Sequence, residues 1–212
     1  MPQTPELAAA ATNRLSTVLA RVLLLAWVPC LVFVLATLMT GHWVTLPTPA
    51  VGAPGLQTAI AALAVGEPAA PAAWTVCHVL YSGCRCSRRV FDHLQTAERP
   101  AGVREIVLLV GDDDVAMQNA CTARGMRCVR LDRDQLQARF GIEAAPLFVV
   151  ADPRGVPVYI GGYTDHKQGL DYRDAAIVDG LRRGDTVAAL PVYGCGVSQP
   201  LQAVLDPLGL KY

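Results

Sequence analysis

WTVCHVLYSGCRCSRRVFDHL, residues Trp74 to Leu94, changes its hydrophobic period part-way along and so decides how the chain is organised. Thr75 to Tyr81 is an apolar, β-branched run of strand length, which predicts a buried strand. Ser82 and Gly83 break it, and beyond Ser87 the residues Val90, Phe91 and Leu94 recur at helical spacing. Cys84 and Cys86 therefore fall where a central strand hands over to a helix. Cys84 is expected at or just before the first helical turn, where unpaired backbone N–H groups and the positive end of the helix dipole favour a thiolate. Arg85, Arg88 and Arg89 are expected to add positive charge there. The pattern points to a redox-active or a metal-ligating cysteine site, and both readings stay open at this level.

Upstream, Val22 to Thr40 is nineteen residues without a charge, long enough at helical rise to cross a hydrocarbon core. Pro29 is compatible with such a helix. Arg14 and Arg21 precede the run and no Lys or Arg follows until Arg85, so residues 1–21 are expected in the cytoplasm and the rest beyond the membrane. A cleaved signal peptide is the alternative; the apolar region is longer than that of usual signal sequences, which favours an uncleaved anchor across residues 22–40. The bacterial periplasm is the expected compartment, reached from a single pass of the inner membrane. Residues 41–73, rich in Ala, Pro and Gly, read as a tether, with a short packed helix from Leu56 to Val65.

Lys plus Arg and Asp plus Glu number 18 each, and no basic cluster suggests a nucleic-acid surface. No Gly-x-Ser-x-Gly turn or phosphate-binding glycine loop is present. Seven cysteines is a high count for this length, and outside the cytosol it permits disulfides.

Downstream, Arg104 to Gly111 predicts a strand buried on both faces, as in a parallel sheet. Asp112 to Asp114 cap a helix from Val115 to Arg124, ended by Gly125. Cys128 to Leu131 is a strand and Arg133 to Phe140 a helix stopped by Gly141. Leu147 to Ala151 and Pro157 to Ile160 flank the turn Asp152-Pro153-Arg154-Gly155 as a hairpin, and Asp171 to Arg183 forms a last helix. The order β-α-β-α-β-α-β-β-α predicts an α/β fold, a mixed sheet flanked by helices.

Tyr81-Ser82-Gly83-Cys84-Arg85-Cys86-Ser87, Phe140 to Val150 (FGIEAAPLFVV) and Gly155 to Gly162 (GVPVYIGG) together resemble the thioredoxin superfamily. The branch they are most similar to is membrane-anchored and periplasmic, with thiol–disulfide and cytochrome-maturation roles. The resemblance covers about residues 74–184, leaving 185–212 as an extension expected to pack back on the domain. It implies that Cys84 occupies the first position of the family's Cys-x-x-Cys turn and that Pro146 is a cis-proline abutting the reactive sulfur. Ser87 stands where the family has its second cysteine, so Cys86 or another cysteine must resolve a mixed disulfide.

Cys195 lies in the extension between Gly194 and Gly196, which permit close approach of another group, and is expected near Cys84 and Cys86, the alternative being a lone packed thiol or a partner for Cys77. In the preferred reading Cys84 attacks a protein disulfide, Cys86 or Cys195 resolves it, Pro146 borders the site, and no cofactor is needed. The partners are then periplasmic protein thiols or disulfides, with the bilayer held through residues 22–40. In the alternative, Cys84, Cys86 and Cys195 bind an iron–sulfur cluster, zinc or copper for electron or metal transfer. Cys77 reads as a buried inert thiol or a ligand, and Cys121 with Cys128 as a disulfide or two separate thiols. His78 and His93 read as structural. Tyr159, Tyr163 and Gly161-Gly162 are expected either to border the site or to lie in an exposed loop.

Overall fold

Seven of the eight residues of Trp74–Tyr81 are buried, as expected of a strand covered on both faces. The computed structural model describes residues 5–64, 73–112, 114–207 and 209. Residues 65–72 of the expected tether, Asp113, and residues 208 and 210–212 of the extension lie outside the described residues. The chain divides into two units at Val44 and Thr45.

The first unit holds α1 (Pro5–Trp43), with Pro29 inside it. Its segment Ser16–Thr37 is 22 residues long with mean hydropathy 2.5, long and apolar enough to cross a membrane; a signal sequence meets the same description. Leu23, Leu25 and Phe33 are all more than half exposed along it.

The second unit runs in order through α2 (Pro54–Ala64), β1 (Trp74–Tyr81), α3 (Arg85–Thr96), β2 (Val103–Val110), α4 (Val115–Ala123), β3 (Arg127–Leu131) and α5 (Arg133–Phe140). It continues through β4 (Ala144–Ala145), β5 (Leu147–Ala151), β6 (Pro157–Gly161), α6 (Asp174–Arg183), β7 (Cys195–Gly196) and α7 (Gln199–Leu205). The main sheet has the order β3-β2-β1-β5-β6. β1 pairs parallel with β2, as β2 does with β3, while β5 runs antiparallel to both β1 and β6. With the cis Ala145–Pro146 bond just before β5, this is a thioredoxin-like α/β fold.

Short-range chemistry explains the element ends. Asp132 caps α5 through a reciprocal box with Gln135, and Gly141 ends the helix in the left-handed region at φ 64°. The Asp152 carboxylate accepts from the Arg154 and Val156 amides and closes the β5–β6 turn. Asp114 caps α4 by accepting from the Met117 amide at 3.0 Å.

Alternation along β1 divides the core. Cys77, Val79 and Tyr81 face the side covered by α2, α5 and the C-terminal segment; Val76 and Leu80 face α3, α4 and α6. Leu56, Ile60 and Leu63 bury one side of α2, each such side chain worth about 1.5–3 kcal/mol. The backbone N–H of Leu46 also donates to the Val192 carbonyl at 2.9 Å, so residues from Thr45 onward belong to this packed unit.

The α3 and α6 side carries a buried polar cluster. His78, fully buried, meets the Tyr163 hydroxyl at 2.8 Å through Nδ1 and Glu105 at 3.4 Å through Nε2. Arg99 donates twice to Glu105 from Nε, at 2.9 and 3.1 Å, and once to Asp174 at 2.7 Å. His93 Nε2 lies 2.8 Å from the other Asp174 oxygen. Burial alone would raise the Glu105 carboxyl, but hydrogen bonds from His78 and Arg99 outweigh it and hold it at about 2. Asp174 is likewise held well below the carboxylate range: burial is offset by His93 and Arg99. His78 and His93 are thus bound into a structural network.

Folded-state values below the unfolded ones mean that these carboxylates stabilise the fold above about pH 4, and that the contribution is lost as pH falls towards 2. Arg99→Met strands two buried charges and is expected to cost about 3–5 kcal/mol at pH 7. Urea unfolding between pH 7 and 3 should show that deficit shrinking as pH falls, because the stranded carboxylates become protonated. A deficit independent of pH would assign the loss to packing instead of charge.

Candidate active site

At the handover from β1 to α3 the Cys84 amide donates to the Tyr81 carbonyl at 2.9 Å, and the Cys84 carbonyl accepts the Arg88 amide. Cys84 is therefore the N-cap of α3, with extended φ −104° and ψ 120°. Ser87 is fully buried and its hydroxyl accepts from the Tyr81 amide at 3.0 Å. The serine in place of a second cysteine thus stitches the turn to the strand.

The extension reaches this turn through backbone pairing. β7 lies antiparallel on β4, with Ala145 opposite Cys195 and Ala144 opposite Gly196. The Val197 amide donates to the Glu143 carbonyl at 2.6 Å, and the Gln202 side chain in α7 donates to the Gly196 carbonyl at 2.9 Å. Ser198 caps α7 by accepting from the Leu201 amide. These contacts bring Cys195 Sγ to 2.7 Å from Cys84 Sγ, which also lies 3.9 Å from the Ala145 carbonyl oxygen.

Gly194 is required by this approach. A Cβ there would lie 2.6 Å from Pro146 Cδ and closer still to the Ala145 carbonyl oxygen. Gly162 plays the same part at the hairpin end: its Cβ would meet the Pro191 carbonyl, while its amide donates to Leu190.

The Cys84 thiol is held well below the ordinary range, first by the hydrogen bond with Cys195 and next by that with Cys86, which together overcome burial. The expected arginine contribution is not what lowers it. Arg85, Arg88 and Arg89 are exposed, and Arg88 turns to Asp114 at 3.5 Å.

Accessibility separates the three sulfurs. Cys84 is 0% and Cys195 9% exposed, whereas Cys86 is half-buried and lines a narrow cleft with Pro146, Tyr163, Tyr172 and Tyr193. Tyr163 thus borders the site from inside, while Tyr159 is buried with its hydroxyl bound to Gly162. The sequence carried no signal for Tyr172 or Tyr193, which reach the cleft only through packing of the segments around α6 and β7.

The other cysteines stand apart from this turn. Cys77 is packed between β2 and β5, opposite Ile106 and Val149, and burial pushes its thiol up to about 12. Cys121 and Cys128 hydrogen-bond to each other as thiols; this raises Cys121 and lowers Cys128.

Among the described residues no group of three or more His, Cys, Asp or Glu is arranged to hold a metal ion. The Cys84 and Cys195 sulfurs, 2.7 Å apart, are close enough to join in a disulfide.

No protein-family model matches this chain, and no curated protein is significantly similar to it. Solved structures match it at low similarity. An uncharacterized conserved protein from Geobacillus kaustophilus is 16% identical with a TM-score of 0.45, covering 60% of this chain and 78% of that one. A hypothetical protein from Sinorhizobium meliloti is also 16% identical with a TM-score of 0.42, covering 60% and 80%. The thioredoxin domain of a thiol-disulfide oxidoreductase from Bacteroides vulgatus is 14% identical with a TM-score of 0.32, covering 42% and 70%.

Gly194→Ala tests the backbone approach. Forcing a methyl against Ala145 and Pro146 should cost about 1–3 kcal/mol, lowering the effective concentration of Cys195 at Cys84 roughly 5- to 150-fold. Quenched mass spectrometry in a fixed glutathione buffer should show correspondingly less Cys84–Cys195 disulfide. Gly52→Ala, with open space around the added methyl, should leave it unchanged.

Proposed function

We propose that the chain is a thiol–disulfide oxidoreductase whose working couple is Cys84 with Cys195, acting on cysteines of proteins in the compartment outside the inner membrane. The observation that carries this reading is the 2.7 Å approach of two thiols, one at the N-terminus of α3, beside a cis-proline. A thiolate stabilised at neutral pH is the reactive form for disulfide exchange, and a second thiol in covalent reach lets a mixed disulfide resolve internally. Reduction of a substrate disulfide leaves Cys84 and Cys195 joined and releases two substrate thiols. The reverse sequence oxidises a substrate dithiol.

The localisation in this reading is supported by α1. An exposed 22-residue apolar span is costly in water and is satisfied in a bilayer. With Arg14 and Arg21 before it, the span acts as an anchor that leaves the N-terminus in the cytoplasm and the redox domain in the periplasm. N-terminal sequencing of the membrane fraction checks this: a mature chain that begins beyond residue 40 would make α1 a cleaved leader.

For the chemistry, the full chain in detergent micelles, purified without oxygen, is expected to hold no stoichiometric metal and to titrate as one reversible two-electron couple. Peptide mapping should locate it at Cys84 and Cys195, and Cys84→Ser or Cys195→Ser should abolish it. Visible charge-transfer bands with stoichiometric metal, or a couple that survives Cys84→Ser, would overturn the proposal.

A further inference from the structure

Cys86 is the one sulfur of the three with an open approach. Cys84 has no exposed surface and is enclosed by the core, Ala145 and Cys195. Cys195 is 9% exposed and its backbone is pinned by β4. Exchange requires an incoming sulfur to reach the attacking sulfur in line with the bond that breaks. Cys86 meets that need: it lines the cleft beside Pro146 and Tyr172 and is hydrogen-bonded to Cys84 behind it.

The cleft also describes its ligand. Its walls are aromatic, from Tyr163, Tyr172 and Tyr193, and Arg89 and Lys167 bring two positive charges with no Asp or Glu in the lining. Such a cleft favours a disulfide that carries carboxylates near its sulfurs.

Building on the redox reading, we infer that Cys86 is the thiol that exchanges with substrate, that it takes disulfides flanked by carboxylates, and that Cys84 and Cys195 form an internal couple behind it. In the reducing direction the Cys86 thiolate attacks a substrate disulfide. A Cys86–substrate bond forms, the substrate S–S bond breaks, and one substrate sulfur leaves as a thiolate. The Cys84 thiolate then attacks Cys86 Sγ, and the second substrate sulfur leaves, taking the proton released by Cys195. Finally the Cys195 thiolate attacks Cys84 Sγ, joining Cys84 to Cys195 and returning Cys86 as a thiolate. The substrate gains two electrons from the Cys84–Cys195 couple and one proton from Cys195, and the first substrate thiolate takes its proton from water. A dithiol partner entering at Cys86 runs the steps backwards and resets the couple.

The test uses the full reduced chain in detergent micelles with glutathione disulfide as the probe. Limiting maleimide should label Cys86 at least about tenfold faster than Cys84 or Cys195, because rate follows access. Cys84→Ser should trap glutathione on Cys86. Cys86→Ser should slow formation of the Cys84–Cys195 disulfide about a hundredfold, yet still let that disulfide form at equilibrium, a split that a merely structural role would not produce. Wild-type rates in Cys86→Ser, or glutathione trapped first on Cys84, would overturn the assignment while leaving the Cys84–Cys195 couple intact. Absence of that couple in the wild type at every redox poise would instead overturn the underlying redox reading. For the ligand, glutathione disulfide and a longer cystine peptide flanked by glutamates should each react faster than cystamine, and the faster of the two indicates a small-molecule or a protein source. Arg89→Glu with Lys167→Glu should reverse the preference over cystamine. Equal rates for all three in the wild type would overturn the ligand class.

Discussion

Antiparallel pairing of Ala145 with Cys195, on strands only two residues long, holds together sulfurs that are 111 residues apart in the chain. So short a ladder contributes little by itself, and its neighbours hold it in place. The Glu143 carbonyl takes the Val197 amide, Gln202 returns from α7 to the Gly196 carbonyl, and Val192 is tied to Leu46. Gly194 leaves room for the backbone to lie against Pro146. The loop-closure entropy of bringing Cys195 to Cys84 is thereby met by packing throughout the C-terminal segment, independently of any sulfur chemistry.

That arrangement also sets the electrostatics of the turn. Burial of Cys84 works against a thiolate, and two sulfur hydrogen bonds reverse the balance. The nearby arginines stay in solvent, where water screens them, and one of them serves Asp114 on the next helix. Ser87 holds the turn to β1 through its hydroxyl. The position that would hold a second thiol in a Cys-x-x-Cys turn carries a serine whose amide and hydroxyl also help hold the Cys84 thiol down, and the second thiol arrives from the C-terminal segment.

On the opposite side of the sheet the cluster of His78, Glu105, Arg99, His93 and Asp174 ties β1, α3, β2 and α6 together. It reaches the cleft through Tyr163, which hydrogen-bonds His78, and through Tyr172, which stacks on His93 with ring centroids 4.2 Å apart. The aromatic wall beside Cys86 is thus braced from beneath by a satisfied polar network.

The sequence by itself determined the parts that depend on near neighbours. The strand-to-helix change at Ser82-Gly83, the helix from Arg133 to Phe140 between Asp132 and Gly141, and the turn at Asp152 to Gly155 all follow from periodicity, capping and turn chemistry within a few residues. The element order led through the rules for crossovers and hairpins to a mixed sheet flanked by helices, while the thioredoxin-like expectation rested on the resemblance of three stretches and the strand order β3-β2-β1-β5-β6 came from the structure. Glycines around Cys195 signalled a close approach, though not the partner backbone. Only the tertiary structure decided which sulfur is covered, which is open, and that Arg99 lies between Glu105 and Asp174. Those outcomes depend on surfaces distant in the chain meeting at ångström precision, and a hydrophobic pattern records which face a residue takes but not which distant atom will cover it.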